Sequence, residues 1–274
     1  MSPGTIPRPA LLIAATVGLV SVALASVGAR GTTAASAAAV AQPEFQNPTQ
    51  PVAPNAPYDG RFTFARIRFN PRGGTDFFGR GDPKWSHDYP TAETHLSKII
   101  VELSTMRPYM DGGNVFTLDD PELFKFPIAY LCEPGFWNPT EAEAAGLRAY
   151  LHKGGFIIFD DFFGRHWQNF EAQMQRVLPQ GRLVKVDRSH PIFDAFFHVE
   201  LPDHGFGSGG GRGAPEFWGI FEDNDPDKRL LAIVNFNNDI GESWEYSDTG
   251  IIPVDVTSTS YKLGMNYLVY GMTH

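Results

Sequence analysis

The sequence predicts an α/β protein built on a doubly wound, mostly parallel sheet in three layers, α/β/α. Two observations carry this. Strand-like and helix-like segments alternate from Arg61 onward with short connections, and repeated strand–helix–strand units imply a parallel sheet with right-handed crossovers. The stretch Gly155–Phe159, Gly-Phe-Ile-Ile-Phe, is apolar without polar alternation, as central strands covered on both faces are.

Taken in order, Phe62, Phe64, Ile67 and Phe69 mark a first strand ending at Asn70-Pro71 and a Gly-rich loop to Gly81. Tyr89-Pro90-Thr91 opens a helix whose Leu96, Ile99, Ile100 and Leu103 recur at helical spacing. A short strand near Val115-Phe116, a helical turn at Asp120–Phe124 and a strand at Phe126–Cys132 follow, the last stopped by Glu133-Pro134-Gly135. The next helix has Asn138 as its expected cap, Pro139 at its first position, Glu141 completing a capping box and Gly154-Gly155 as its stop. The apolar strand to Phe159 is expected to end at Asp160-Asp161. Beyond it lie a helix over His166–Leu178, strands near Leu183–Val186, Phe217–Phe221 and Leu230–Phe236, and a final helix over Ser260–Thr273. Gly205–Gly213 reads as a flexible surface loop, because it lacks the strand-to-helix setting of a dinucleotide-binding loop.

The chain's 274 residues suffice for one large domain, and its 42% hydrophobic content for a sizeable core. Residues 1–41 read as a signal peptide: Arg8, then an almost wholly apolar run Leu11–Val27, then a small-residue tract. Two sites fit small-x-small cleavage, Ala23-Leu24-Ala25 and Ala39-Val40-Ala41, and the second leaves Gln42 as the mature N-terminus. An uncleaved membrane anchor is the alternative, since the run is at the lower limit for spanning a bilayer, about 17 residues. Residues 42–60, with five prolines, read as a disordered linker, and 61–274 as the single folded domain, periplasmic or secreted. A net charge of -9 with no basic run beyond Lys228-Arg229 argues against a nucleic-acid partner. One cysteine, Cys132, excludes an internal disulfide and a cysteine-based zinc site.

Several ordered blocks resemble a bacterial family, the domain of unknown function 4159. They are Thr117–Phe124, Tyr130 with Glu133-Pro134-Gly135, Leu147–Leu151 with Gly154-Gly155-Phe156, Asp160-Asp161-Phe162, Trp167–Phe170, His190–Phe193, Asn237–Glu245 and Asn266–His274. The resemblance spans roughly residues 62–274 and implies a flavodoxin-like fold similar to class I glutamine amidotransferases, with no established activity. It also implies envelope partners of the von Willebrand A-type or MoxR-type. Those amidotransferases carry a nucleophilic cysteine on the turn after a central strand. Here that turn carries Asp160-Asp161, so glutamine hydrolysis by that route is not expected, and Cys132 reads as a small buried hydrophobe.

In open α/β sheets ligands sit outside the carboxyl ends of the strands. Glu133, Asp160 and Asp161 should arrive there, with Asn237 and Asp239 on a polar loop after a later strand. Adjacent carboxylates at Asp160 and Asp161 suit a divalent cation such as magnesium or calcium, with further oxygens from Glu133 or Asp239. The structural alternative has one aspartate capping the next helix and the other paired with Arg148 or Arg165. The eight histidines show no close ligand spacing, so zinc is not expected; His190, held extended before Pro191, is the histidine with the best claim to a site. Two functions follow as expectations: a non-catalytic domain binding a ligand or protein partner at the carboxyl edge, or a metal-assisted hydrolase using Asp160 and Asp161. A shallow aromatic surface at Phe162, Phe163, Trp167 and Phe196 would mark the partner-binding form.

Overall fold

The computed structural model describes residues 52–71, 83–201 and 213–274. The signal segment, the Gly-rich loop after the first strand and all but the last residue of Gly205–Gly213 lie outside the described residues. Among the described residues no helix is long and apolar enough to cross a membrane.

The elements are β1 (Ala65–Ile67), α1 (Thr91–Leu103), β2 (Asn114–Phe116), β3 (Ile128–Cys132), α2 (Glu141–His152), β4 (Phe156–Phe162), α3 (His166–Val177), β5 (Val184–Lys185), β6 (Glu216–Phe221), β7 (Leu230–Phe236), α4 (Ile240–Glu245) and α5 (Val254–Thr273). The strands form one sheet in the order β2-β1-β3-β4-β7-β6-β5. Pairings from β2 through β7 are parallel, and β6 and β5 add antiparallel strands at one edge. Strand residues alternate between two cores. Ala129, Leu131, Ile157 and Phe159 pack with α2 and α3, while Ile128, Tyr130, Phe156 and Ile158 pack with α1, α4 and α5. This is the expected three-layer α/β architecture.

The chain leaves β1 toward one side of the sheet to reach β2 and returns to the other side of β1 for β3. The order therefore reverses between β1 and β3, and the loops following those strands diverge and leave a crevice. That geometry places the site described below.

Four details depart from the sequence reading. First, α2 is capped by Thr140 and not by Asn138: the Thr140 hydroxyl accepts from Glu143 N, and Glu143 returns a bond to Thr140 N. Asn169 on α3 donates to the carbonyls of Gly135 and Trp137, which holds the preceding turn out of the helix. Second, β4 does not stop at Phe159 but runs through Asp160-Asp161 to Phe162. Third, the polar loop expected around Asn237 and Asp239 passes directly into a helical segment at Ile240–Glu245, and α5 begins at Val254, ahead of Ser260. Fourth, the described end of the Pro-rich segment is pinned. The side-chain amide of Asn55 bonds both backbone groups of Val115, and that of Asn114 bonds both backbone groups of Ala56. These contacts occupy the outer edge of β2, which would otherwise present unpaired strand groups.

Candidate functional site at the strand-order reversal

Three chain segments meet at the crevice. The first, between β1 and α1, carries Lys84, His87 and Asp88; the second begins at Glu133, directly after β3; the third is the end of β4 with Asp160 and Asp161. Parallel pairing sets Cys132 beside Asp160, and Glu133 N donates to Asp160 O at 3.0 Å, so the carboxyl ends of β3 and β4 are level.

The two aspartates divide their work because of a bulge. Phe159 pairs with Val234 and Phe162 with Phe236, so two residues of β4 oppose one of β7. Asp161 absorbs the extra length with φ 57°, a left-handed conformation uncommon outside glycine. The kink returns Phe162 to the α2/α3 core and turns Asp161 toward the crevice. Asp88 and Glu133 are likewise left-handed, with φ of 64° and 52°. Such conformations cost free energy and persist where surrounding structure enforces them.

Asp160 is fully buried and consumed by structure. Its Oδ2 accepts from the Tyr130 hydroxyl at 2.7 Å and from the amides of Ile240 and Gly241, each at 3.0 Å; its Oδ1 accepts from Asn235 Nδ2 at 3.1 Å. Tyr267 from α5 in turn donates to Asn235 Oδ1 at 2.8 Å. The carboxylate thus satisfies amides at the start of α4 that have no intrahelical partner. Burial pushes its pKa up to about 6 against the opposing pull of these donors. Asp239 caps the same helix through Glu242 N at 2.8 Å.

Asp161 instead converges with His87 and Glu133. His87 Nδ1 lies 3.1 Å from Glu133 Oε1 and 3.7 Å from Asp161 Oδ2, and one donor atom from each of the three falls within 4.8 Å of the others. Lys84 Nζ stands 3.6 Å from Glu133 Oε1 and 4.7 Å from the centre of the Phe136 ring. His87 is a third exposed and opens the cluster to solvent, while Asp161 and Glu133 lie below it. Desolvation and mutual repulsion push Asp88, Glu133 and Asp239 above the usual carboxylate range, and Glu245 follows through burial and Glu242. Cys132 Sγ sits 3.7 Å from Asp161 Oδ2 and 4.0 Å from Asp88 Oδ2. Burial and these carboxylates drive its thiol well above its ordinary pKa, the reverse of what a nucleophile requires.

Sequence and structure come together here. A family model described as "Domain of unknown function (DUF4159)" matches residues 63–272. The chain belongs to this family. No curated protein matches it. The DUF4159 region contains every residue of the crevice, from Lys84 to Glu245.

The remaining expected residues of this DUF4159 domain stand elsewhere. His190 caps a short helical turn through Ile192 N at 3.2 Å and packs against Phe221 and Tyr270. Phe221 pairs with Leu230 at the amino end of β7, so His190 is at the opposite edge of the sheet from the acidic cluster. Asn237 joins two loops, accepting from Gly164 N at 3.3 Å and donating to Ala214 O at 3.2 Å. Arg148 is committed to the carbonyls of Val177 and Arg176, and Arg165 is exposed at the start of α3, so neither neutralises Asp160. The expected aromatic surface does not form as a unit. Phe162 is fully buried, and Phe196 is tied through its amide to Asn266 of α5, across the sheet from Trp167. Sequence reasoning missed His87 and Asp88, because their chemistry depends on distant partners, Glu133 and Asp161 standing 46 and 74 residues beyond His87, that only the strand-order reversal brings near.

Proposed function

We propose that this DUF4159 domain binds a divalent cation at its carboxyl edge through His87, Glu133 and Asp161. The observation that carries the reading is the convergence of one imidazole and two carboxylates within 4.8 Å, at the point where strand order reverses. A nitrogen donor beside two carboxylates favours manganese or zinc over the magnesium or calcium suited to an all-oxygen pair. Asp161 keeps its place in the ligand set proposed from the Asp160-Asp161 dipeptide, whereas Asp160 has its lone pairs taken up by four donors. The raised carboxyl pKa values accord with the same reading, since burial first and repulsion from Asp161 second raise them, and a cation would offset both. We further propose that the domain acts outside the cytoplasm in an envelope complex and binds a ligand or a partner of the von Willebrand A-type or MoxR-type there. The support for this is the signal-like N-terminal segment and the family resemblance.

Metal-assisted hydrolysis is a second reading, favoured by Asp88. This residue is next in sequence to the His87 ligand, and its Oδ2 stands 4.0 Å from Cys132 Sγ. Burial and Asp161 push its carboxyl above its ordinary pKa, so it would suit proton exchange with a water that a bound cation would activate.

The test is thermal unfolding of the full chain after chelator treatment, titrated with Mn2+, Zn2+, Mg2+ and Ca2+. Mn2+ or Zn2+ at 100 times its dissociation constant should stabilise by about 2.7 kcal/mol, with a smaller effect from Mg2+ and Ca2+. The shift should vanish in the His87→Ala, Asp161→Asn double variant and persist in Asp160→Asn. Equal shifts in wild type and double variant would place the ion elsewhere and sink the reading.

A further inference from the structure

Arg66 is a fully buried charge in the middle of β1, and cation binding by His87, Glu133 and Asp161 makes no direct use of it. Burying a guanidinium is costly unless its geometry is well matched, so its partners should show what it does. Its Nε meets Glu93, also fully buried, in the first turn of α1. Its Nη1 donates to two main-chain carbonyls, Trp85 O at 3.0 Å and His87 O at 2.8 Å. The rings of Tyr130, Tyr89 and Phe64 surround its Cζ, with centroids at 5.0, 5.8 and 6.0 Å. The two carbonyl bonds therefore join β1 to the segment between β1 and α1, the ion pair joins β1 to α1, and one carbonyl bond ends on the residue that presents the imidazole.

We propose that Arg66, locked by Glu93, is the positioning residue that fixes the His87 arm of the cation site. The inference rests on the cation reading above for its functional meaning, though not for its geometry. The segment from Lys84 to Asp88 has little regular structure of its own, a single helical turn at Lys84–Ser86 followed by left-handed Asp88. Its backbone needs an outside clamp if His87 Nδ1 is to stay within 3.1 Å of Glu133. A planar guanidinium provides that clamp, because it reaches a carboxylate through one nitrogen and two carbonyls through another while lying against aromatic faces. A lysine ammonium is a point charge on a flexible stem and cannot hold all three at once. The same charge lies beneath the acidic cluster and partly offsets the repulsion on Asp88 and Glu245.

The experiment compares the wild-type full chain with Arg66→Lys and Glu93→Gln, after far-UV circular dichroism and a cooperative melt have shown each variant folded. Two readouts are taken: amide hydrogen exchange across Trp85–Asp88, and Mn2+ affinity by titration calorimetry. Loosening of the clamp should raise exchange in that segment at least tenfold, leave the amides of β3 and β4 protected, and weaken Mn2+ binding by about tenfold or more. Should Arg66→Lys fail to fold, Glu93→Gln carries the comparison, since it keeps the side-chain shape and removes only the charge that locks the guanidinium. Native exchange in Trp85–Asp88 in a folded variant would overturn the positioning role whatever the metal result. Accelerated exchange with unchanged Mn2+ affinity would overturn its link to the site. Absence of Mn2+ binding by the wild type would overturn the cation reading, and the exchange data would still decide whether Arg66 holds His87 in place.

Discussion

Replacing Asp160 with asparagine tests the separation of the two adjacent aspartates into a structural and a functional residue. Asp160 accepts four hydrogen bonds in a site closed to solvent. An asparagine offers one carbonyl oxygen and one amide that only donates. If its oxygen keeps Tyr130, Ile240 and Gly241, its amide faces the donating amide of Asn235. Turning Asn235 over would sacrifice the bond from Tyr267. One buried donor is left unsatisfied and charge-assisted bonds become neutral, a loss of about 2–4 kcal/mol near pH 7. The pH dependence is a second and more selective signal. The folded-state pKa is raised from 3.8 to about 6, so the native state binds this proton more tightly than the unfolded chain does. The group's contribution to stability is therefore fully present below pH 3.8 and is lost as pH rises through about 6, a difference of about 3 kcal/mol at roughly 1.4 kcal/mol per tenfold change in proton affinity. Urea unfolding of both proteins between pH 4 and 7.5 should thus give a wild-type curve that falls more steeply over pH 4–6 than the asparagine curve, by up to that amount. Parallel curves, or an asparagine variant as stable as wild type at pH 7, would refute the claim that Asp160 is an ionisable keystone of the β3, β7 and α4 junction.

Other outcomes follow from the same structure. Gly146 should not tolerate alanine despite its place inside α2: a Cβ there would lie 2.1 Å from the carbonyl oxygen of Leu118, so Gly146→Ala should lower the melting temperature where helix propensity alone would stabilise the protein by up to about 1 kcal/mol. Thr140→Ala should cost about 1 kcal/mol in chemical denaturation through loss of the α2 capping box, whereas Asn138→Ala should cost less than half as much. His190→Asn should leave Mn2+ affinity unchanged within twofold, because His190 lies at the amino edge of the parallel strands.

Local pattern determined much of this protein. The apolar run ending at Phe159, the spacing of Leu96 and Ile100, and the limits of β7 depend on periodicity and length, which neighbouring residues express without tertiary help. The alternation of these elements sufficed for a three-layer α/β sheet, and the dipeptide Asp160-Asp161 with Glu133 marked its carboxyl edge. Tertiary structure decided how those residues are used. Whether β4 stops at Phe159 or bulges and continues depends on its pairing with β7, and that bulge alone separates buried Asp160 from Asp161 at the crevice. The cap of α2 moved from Asn138 to Thr140 because Asn169 of another helix claims the carbonyls of Gly135 and Trp137 just ahead of Asn138. His87 became the imidazole of the site, and His190 did not, because loops after β1 and β3 diverge at the reversal of strand order. Local sequence sets where most strands and helices form, but the pairing that bends them and the charges and donors around a residue come from segments far away in sequence, and those fix what its side chain can do.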